Sequence, residues 1–209
     1  MQTNFGDTTL ALSMPKSIRK RPAPTTTGGG ESGSGDTALY PLDIAYQQAG
    51  VGLPQVREVS AEDIPLPYRS LLVHERDMTL TLEQHFGGRV VLRTLSTSST
   101  GPWYMRRVLL VQEYSGRPVE MGAIRMNLGV FADEVRAEIL RNEVPLGRVL
   151  RNGGVDFRSR PRAFLAVTPN SEMMGVFWMR EPRTLYGRRT EVVLHGAKVG
   201  DIVEVLPLV

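Results

Sequence analysis

Apolar residues recur every four positions between Phe131 and Arg141, where Val135 and Ile139 alternate with charged residues. This spacing is typical of an amphipathic helix with one buried face. Pro145 then predicts a break, because proline lacks an amide hydrogen and restricts the backbone of the residue before it. Proline also suits the first turn of a helix, so we expect a second helix to begin at this point.

The break at Pro145 leaves the backbone amides near Leu146 and Gly147 without partners inside a helix. Amides of this kind can hold an anionic ligand. The same residues also suit an ordinary connection between two helices. The local pattern does not distinguish the two interpretations, and other residues must decide between them.

Upstream, residues 40–67 form an irregular, proline-punctuated segment with short apolar clusters. Residues 70–86 predict one or two helices, and Asp77 is a suitable cap for a second piece. Gly87 and Gly88 follow and predict the end of that helix. We therefore expect a helical region that ends immediately before the first predicted strand.

Runs of β-branched and aromatic residues predict a series of strands after these glycines. The predicted strands span residues 89–95, 103–113, 119–127, 164–167, 173–179, 184–194 and 199–206. Residues 114–118 predict a hairpin turn, residues 152–162 predict a polar loop, and Gly196 lies in the turn of the last hairpin. This order favours an α+β fold, in which helices and flap loops pack on a single antiparallel sheet.

The length of 209 residues and the 41% hydrophobic content suit one globular domain with a tail. Residues 1–38 are rich in Gly, Ser, Thr and Pro, so we expect a disordered tail there and a folded domain over residues 39–209. The tail carries a small basic cluster that suits contact with nucleic acid or an acidic surface, but next to two prolines it is more typical of a solvated tail. The basic residues are Lys16, Arg19, Lys20 and Arg21.

Charge and composition exclude several classes of function. The net charge is only +3 although the isoelectric point is near 9.4, which does not indicate nucleic-acid binding. The chain has no cysteine, and His74, His85 and His195 lie far apart in no metal-binding spacing. No apolar run reaches the roughly 20 residues that a membrane helix requires, and the N-terminus does not resemble a signal peptide. We therefore expect a soluble cytoplasmic protein.

Two charges lie in phase with apolar residues on predicted strands. Arg106 shares a strand face with Val108, and Glu204 shares one with Ile202. A buried charge without a partner costs several kcal/mol, so each group must meet the other, a different polar group, or a ligand. One interpretation is a direct ion pair or an edge strand open to water. The other is a closed pocket in which Arg106 binds a ligand carboxylate and Glu204 addresses a hydroxyl or proton.

Five motifs occur in one order over nearly the whole predicted domain. They are LLVHERDMTLTLEQ at 71–84, YMRRVLL at 104–110, VPLGRVL at 144–150, LYGRR at 185–189 and EVLP at 204–207. In this order and spacing they resemble the chorismate lyase (chorismate pyruvate-lyase) family. The resemblance implies a cofactor-independent carbon-oxygen lyase that converts chorismate to 4-hydroxybenzoate and pyruvate. It also implies one antiparallel sheet of about six strands, with the ligand enclosed under helical flaps.

The same resemblance implies the roles of four residues. Arg106 and the backbone amides of Met78 and Leu146 would hold the ring carboxylate of chorismate, and Glu204 would meet the far hydroxyl and act with Arg106 in catalysis. The choice of the acidic residue and the choice of a second arginine both stay open. Glu191 and Asp201 are weaker candidates for the carboxylate role of Glu204. Either Arg188 or Arg189 would neutralise the enolpyruvyl carboxylate, unless both belong to a solvated basic edge.

A second class of function is a small-molecule sensor, since effector domains of some transcription regulators resemble the same fold. The segment before Tyr40 is too short and too rich in Gly, Thr and Pro for a winged helix, which disfavours a DNA-reading module in this chain. A third interpretation is an interaction domain in which Arg106 and Glu204 pair with each other. We expect a monomer that binds chorismate, without nucleic acid, membrane, metal or cofactor.

Overall fold

The structure, a computed structural model, describes residues 37–207. Seven strands form one antiparallel sheet in the order β1-β5-β6-β7-β4-β3-β2. The strands are β1 Gln55–Val59, β2 Val90–Thr100, β3 Trp103–Gln112, β4 Pro118–Asn127, β5 Phe157–Thr168, β6 Leu185–Leu194 and β7 Ala197–Leu206. The helices are α1 Leu42–Ala49, α2 Tyr68–Leu72, α3 Met78–Phe86, α4 Asp133–Arg141, α5 Leu146–Asn152 and α6 Ser171–Val176. The fold is α+β with an antiparallel sheet, as the sequence predicts. Residues 1–36 of the predicted tail, with its basic cluster, lie outside the described residues.

Helices cover both faces of the sheet. On one face, α1 and α6 pack with strand residues such as Met121 and Val203 in a single apolar cluster. On the other face are two clusters, one with α4 and α5 and one with α2 and α3. Along β3, Tyr104 belongs to the first of these and Leu110 to the second, and Arg106 lies between them. The second face therefore carries a charged strip flanked by two apolar clusters.

The cap at Asp77, the stop at Gly87 and the break at Pro145 are confirmed, whereas α4 begins at Asp133, two residues after the predicted Phe131. Asp77 caps α3, and its side chain accepts a hydrogen bond from the amide of Thr79 at 2.9 Å. Gly87 ends the same helix in a left-handed conformation, with φ of 67°, which glycine adopts without strain. Asn142 ends α4 in a similar conformation, and α5 begins at Leu146, directly after the proline. The sequence thus predicted where α3 and α5 begin, and we call these two the flap helices.

The sheet has seven strands, more than the six or so that the resemblance implies. The extra edge strand β1, with sequence QVREV, lies in the segment predicted to be irregular, and it pairs only with β5. The prediction of a polar loop at 152–162 is also wrong, because β5 begins at Phe157 and its alternate arginines point to solvent. Pro161 interrupts the alternating pattern in the sequence. In the structure it lies next to a shift in the register between β5 and β6.

Residues 173–179 were predicted as a strand, but they lie in and after helix α6. Asn170 caps this helix, and its side-chain oxygen accepts a hydrogen bond from the amide of Met173 at 2.9 Å. A short apolar run does not distinguish a buried strand from a buried helix. Here packing decided, because Met173 and Phe177 pack against the sheet in the same cluster as α1. Within residues 37–207, no helix combines the length and apolar character needed to span a membrane.

Candidate functional site

A small closed cavity lies between the second face of the sheet and the N-termini of α3 and α5. Its volume is about 50 Å³. The sheet contributes polar groups from β3, β4 and β7, and the helices contribute the first residues of each flap. The polar and flap residues at the cavity are Asp77, Met78, Arg106, Glu120, Leu146 and Glu204. All four residues that the resemblance implies as the site therefore line one cavity.

Strand register sets the order of the charged groups. Arg106 is opposite Ile124 on β4, and Ile124 is opposite Ile202 on β7. Two residues farther along, Gly122 is opposite Glu204. Two steps along a strand and two strands across correspond to about 12 Å between the Cα atoms of Arg106 and Glu204. The guanidinium and the carboxylate thus approach the cavity from different ends.

Arg106 is 2% exposed and lacks a charged partner among the described residues. Its terminal nitrogens donate to the carbonyl oxygens of Ile139 and Val144 and to the side-chain oxygen of Asn142, each at 3.4 Å. These distances are longer than the usual 2.7–3.2 Å or so, and the Nε atom has no partner. Burial lowers the pKa of Arg106. The guanidinium is held under the end of α4 with hydrogen-bonding capacity left over, as an anion site requires.

Glu204 is 5% exposed and pairs with Arg188 of the neighbouring strand β6, whose side chain is fully buried. The direct Arg106–Glu204 ion pair that the sequence left open is therefore not formed. Arg188 also donates to the carbonyl oxygens of Leu72 and His74, at 3.1 and 2.8 Å. Its Nη2 atom has no hydrogen-bond partner. Glu204 is thereby held at the cavity by a cation that is itself fixed to the segment between α2 and α3.

Glu120 of β4, which is not among the predicted site residues, also lines the cavity and is 5% exposed. It belongs to the same face as Gly122 and Ile124, by strand alternation. The signal was present, because a carboxylate in the run PVEMGAI is in phase with apolar residues in the same way as Glu204. Burial and the neighbouring Glu204 raise the pKa of Glu120 well above its usual value, and Arg188 opposes this.

The remaining sequence candidates lie on the opposite face of the sheet. Arg189, Glu191 and Asp201 occupy odd positions on their strands, whereas Arg188 and Glu204 occupy even ones. Glu191 and Asp201 are opposite each other and share Lys198 as a cation, at 3.4 and 2.8 Å. Neither carboxylate replaces Glu204 at the cavity. The LYGRR motif is part of β6, and Arg188 is fully buried, so the alternative of a solvated edge is wrong for that arginine.

His74 completes the surroundings of Arg188. Its Nε2 atom lies 2.8 Å from the carbonyl oxygen of Leu71, and its Nδ1 atom lies 3.3 Å from Arg188. This geometry fits a neutral ring that donates from Nε2. Burial and the charge of Arg188 lower the pKa of His74 to about 4. Within the described residues, no cluster of three or more His, Asp or Glu is placed to bind a metal.

His74 should make the fold sensitive to acid. Its pKa is about 4 in the folded state and about 6.5 when unfolded, so between these values the unfolded chain binds more protons. Stability from this group is therefore present above pH 6.5 and is lost as the pH falls toward 4. We expect the melting temperature to fall less over this range in His74→Gln than in the wild type. His85→Gln, at an exposed position of α3, is the control and should follow the wild type.

The two flap helices meet at Gly147. A Cβ atom at this position would overlap the carboxyl group of Asp77. That carboxyl group is held in place, because it caps α3 through Thr79 and pairs with Arg151. Glu83 and Arg148 form a second ion pair between the same helices. The close approach of α3 and α5 is what closes the cavity.

Gly147→Ala should force the flaps apart. We expect a loss of about 1–3 kcal/mol in the free energy of unfolding, the usual range for overpacking, and weaker binding of any ligand under the flaps. Thermal unfolding and ligand titration measure the two effects. Gly175→Ala is the matched control, because it adds the same methyl group to helix α6 with open space around it. An unchanged melting temperature in Gly147→Ala would show that the flaps are not closely packed.

A larger groove of about 510 Å³ lies elsewhere, near Trp178 and Arg180. It is lined mostly by exposed side chains, and the charged residues Glu181 and Arg183 in it pair with each other. The closed cavity is smaller but brings together a buried guanidinium and two buried carboxyl groups. Because the chemistry lies in the closed cavity, we assign the candidate site there.

No protein-family model matches the chain, and no curated protein matches its sequence. Three solved structures resemble parts of the fold. PhnF from Mycobacterium smegmatis is 13% identical, with 65% of each chain covered and a TM-score of 0.47. The ligand-binding domain of a putative GntR-family transcriptional regulator from Bordetella bronchiseptica is 14% identical over 55% of this chain and 83% of that one, with a TM-score of 0.43. The C-terminal domain of the histidine utilization repressor from Pseudomonas syringae is 13% identical over 57% of this chain and 92% of that one, with a TM-score of 0.37.

This chain thus spans slightly less than two thirds of the length of PhnF. Two of these structures are described as domains of a putative transcriptional regulator and of a repressor, and the identities are too low to transfer any residue's role from them. The resemblance to chorismate lyase stays a prediction from the sequence motifs. The function must be argued from the cavity itself.

Proposed function

We propose that the chain is a chorismate pyruvate-lyase that binds its substrate in the closed cavity between the sheet and helices α3 and α5. The observation that carries this proposal is the buried guanidinium of Arg106. Its Nε is unpaired among the described residues, and its other partners, three oxygens at 3.4 Å and the Tyr104 hydroxyl, are neutral. A ligand carboxylate would give it the charge-assisted hydrogen bonds that it lacks. The order of the five sequence motifs supports chorismate as that ligand.

Three groups suit the ring carboxylate. Arg106 supplies the positive charge, and Met78 and Leu146 are the first residues of α3 and α5, whose early amides have no partner inside the helix. The opposite end of the cavity presents Glu204, with Glu120 nearby. A cyclic substrate with a carboxylate at one end and a hydroxyl at the other fits this polarity. The apolar walls, which include Val108 and Ile202 among others, suit the ring between them.

The elimination needs positioning and proton transfer. The ring hydrogen on the hydroxyl-bearing carbon leaves as a proton, the adjacent ether C–O bond breaks, and the electron pair leaves on the enolpyruvyl oxygen. The ring becomes aromatic, and no electrons pass to or from an external acceptor. Glu204 is placed to hold the ring hydroxyl and to accept the proton, which is general base catalysis in an apolar site. The reaction separates chorismate into 4-hydroxybenzoate and pyruvate without another reactant.

Binding requires the flaps to move. A cavity of about 50 Å³ is far below the roughly 300–1,000 Å³ of sites that enclose small molecules. Helices α3 and α5 contact each other through the ion pairs Asp77–Arg151 and Glu83–Arg148. Both ion pairs are largely shielded from solvent, so the proposal requires them to separate and re-form when a ligand enters. The proposal therefore requires a pocket that expands on binding.

A second candidate function is a non-catalytic binding domain for a hydroxybenzoate-like carboxylate. The observation that favours it is the Arg188–Glu204 ion pair, because the carboxylate that the lyase would use as a base is already engaged by a guanidinium. In this case Arg106 would still hold the carboxylate, and Glu204 would accept a hydrogen bond from the ligand hydroxyl. The ligand would bind and leave unchanged.

One experiment separates the two functions. Purified protein is mixed with chorismate, and pyruvate release and the identity of the aromatic product are followed together. Release of pyruvate with 4-hydroxybenzoate supports the lyase. Intact chorismate together with calorimetric binding of 4-hydroxybenzoate supports the binding domain. If neither ligand is bound or consumed, both assignments fail and the cavity has another role.

A further inference from the structure

Glu120 is a buried carboxyl group that the proposed chemistry has not yet used. It lines the cavity, is 5% exposed, and its Oε2 atom has no hydrogen-bond partner. The charged groups that share this cavity are Asp77 from α3, Arg106 from β3 and Glu204 from β7, with Arg188 of β6 paired to Glu204. A buried carboxyl group with an unpaired oxygen costs stability, and a polar group of a ligand in the cavity would supply the missing hydrogen bond.

The backbone makes room for this side chain. A Cβ atom at Gly122 would lie only 3.0 Å from the Oε1 atom of Glu120 and 3.2 Å from the carbonyl oxygen of Val203. Gly122 is directly opposite Glu204 in the sheet. The carboxyl group of Glu120 therefore extends over the glycine, toward the strand that carries Glu204. This places both carboxyl groups at the same end of the cavity.

The two carboxyl groups differ in their surroundings. Glu204 pairs with the guanidinium of Arg188, whereas the Oε2 atom of Glu120 has no hydrogen-bond partner among the described residues. Burial and the charge of Glu204 raise the pKa of Glu120 well above its usual value, which favours its neutral form. Pairs of carboxyl groups whose environments separate their protonation states commonly divide the roles of acid and base.

We propose that Glu120 is a catalytic residue, the general acid that protonates the departing enolpyruvate while Glu204 accepts the ring proton. This inference rests on the proposed lyase function. The ether C–O bond breaks with its electron pair on the enolpyruvyl group, which takes the proton of Glu120 and leaves as the enol of pyruvate. Glu204 gains the ring proton. Transfer of that proton from Glu204 to Glu120 restores the starting state, so protons and electrons balance without a further reactant.

The test compares Glu120→Gln with the wild type in three measurements. Glutamine keeps the size and the neutral charge of the protonated side chain but has no proton to transfer. We expect 4-hydroxybenzoate to bind within about threefold of the wild-type affinity, and turnover of chorismate to fall about 100-fold or more, the usual range for loss of a general acid. We expect an infrared band of a protonated carboxyl group in the wild type at neutral pH and no such band in the variant.

Glu120→Asp is the second variant, because it keeps an acidic proton at a shorter reach. Its turnover should lie between that of Glu120→Gln and that of the wild type. Turnover in Glu120→Gln within threefold of the wild type overturns the inference and leaves the lyase intact. Equal losses of binding and turnover in both variants overturn it as well, because they indicate a role in packing. If the wild-type protein binds 4-hydroxybenzoate but releases no pyruvate from chorismate, the lyase function itself is wrong. This measurement requires no variant.

Discussion

Arg106→Met is expected to weaken binding of 4-hydroxybenzoate about tenfold to hundredfold, with a similar loss in the specificity constant for chorismate. Methionine matches the arginine stem but cannot donate to a carboxylate, and a charge-assisted contact of this kind is worth about 1.5–3 kcal/mol. Calorimetric titration and pyruvate release measure the two losses. Affinity and turnover within twofold of the wild type would remove Arg106 from the site.

The same substitution should not lower thermal stability. Arg106 is buried with an unpaired Nε and long hydrogen bonds, so its removal also removes a desolvated charge. Arg107→Met is the matched control on the next position of β3. Arg107 is equally buried, but it faces the other side of the sheet, pairs with Glu172 and stacks over Tyr46 at 5.1 Å. We expect Arg107→Met to lower the melting temperature and leave affinity unchanged, the reverse of Arg106→Met.

Glu204→Gln is expected to cause the largest loss of stability among these variants. It removes the carboxylate that neutralises Arg188, whose side chain is fully buried. Leaving one member of a buried ion pair without its partner typically costs about 3–5 kcal/mol. For a domain of this size that corresponds to about 6–20 °C in melting temperature. Turnover should also fall, since the proposed base is lost.

A double substitution separates the structural part from the catalytic part. Glu204→Gln combined with Arg188→Met removes both charges, so the melting temperature should recover relative to either single variant, whereas turnover should stay low. Thermal unfolding and pyruvate release are measured on all four proteins of the cycle. Additive losses of stability in the double variant would show that the two side chains do not interact.

Much of the site was predictable because strand alternation and helix capping are local. Arg106 and Glu204 stood out by parity on their strands, and Asp77 and Pro145 marked the starts of the two flap helices. Glu120 satisfied the same parity criterion and was missed, although its strand was predicted almost to the residue. The errors in β5 and α6 have another origin. The secondary structure around Pro161 and that of the short Met-rich run at 173–179 are ambiguous from the sequence, because packing partners elsewhere in the chain decide them.

By itself the sequence determined the α+β class, most of the hairpins, both flap helices, and Arg106 and Glu204 among the three buried titratable groups that carry the proposed chemistry. Hydrophobic spacing and turn residues determine these features within a few neighbours along the chain. Only the tertiary structure decided the partners of those charges. Arg188 and Glu204 meet because β6 and β7 pair in one register, and Arg106 lies under the end of α4. Contacts between distant segments depend on strand order and register, which no local pattern specifies.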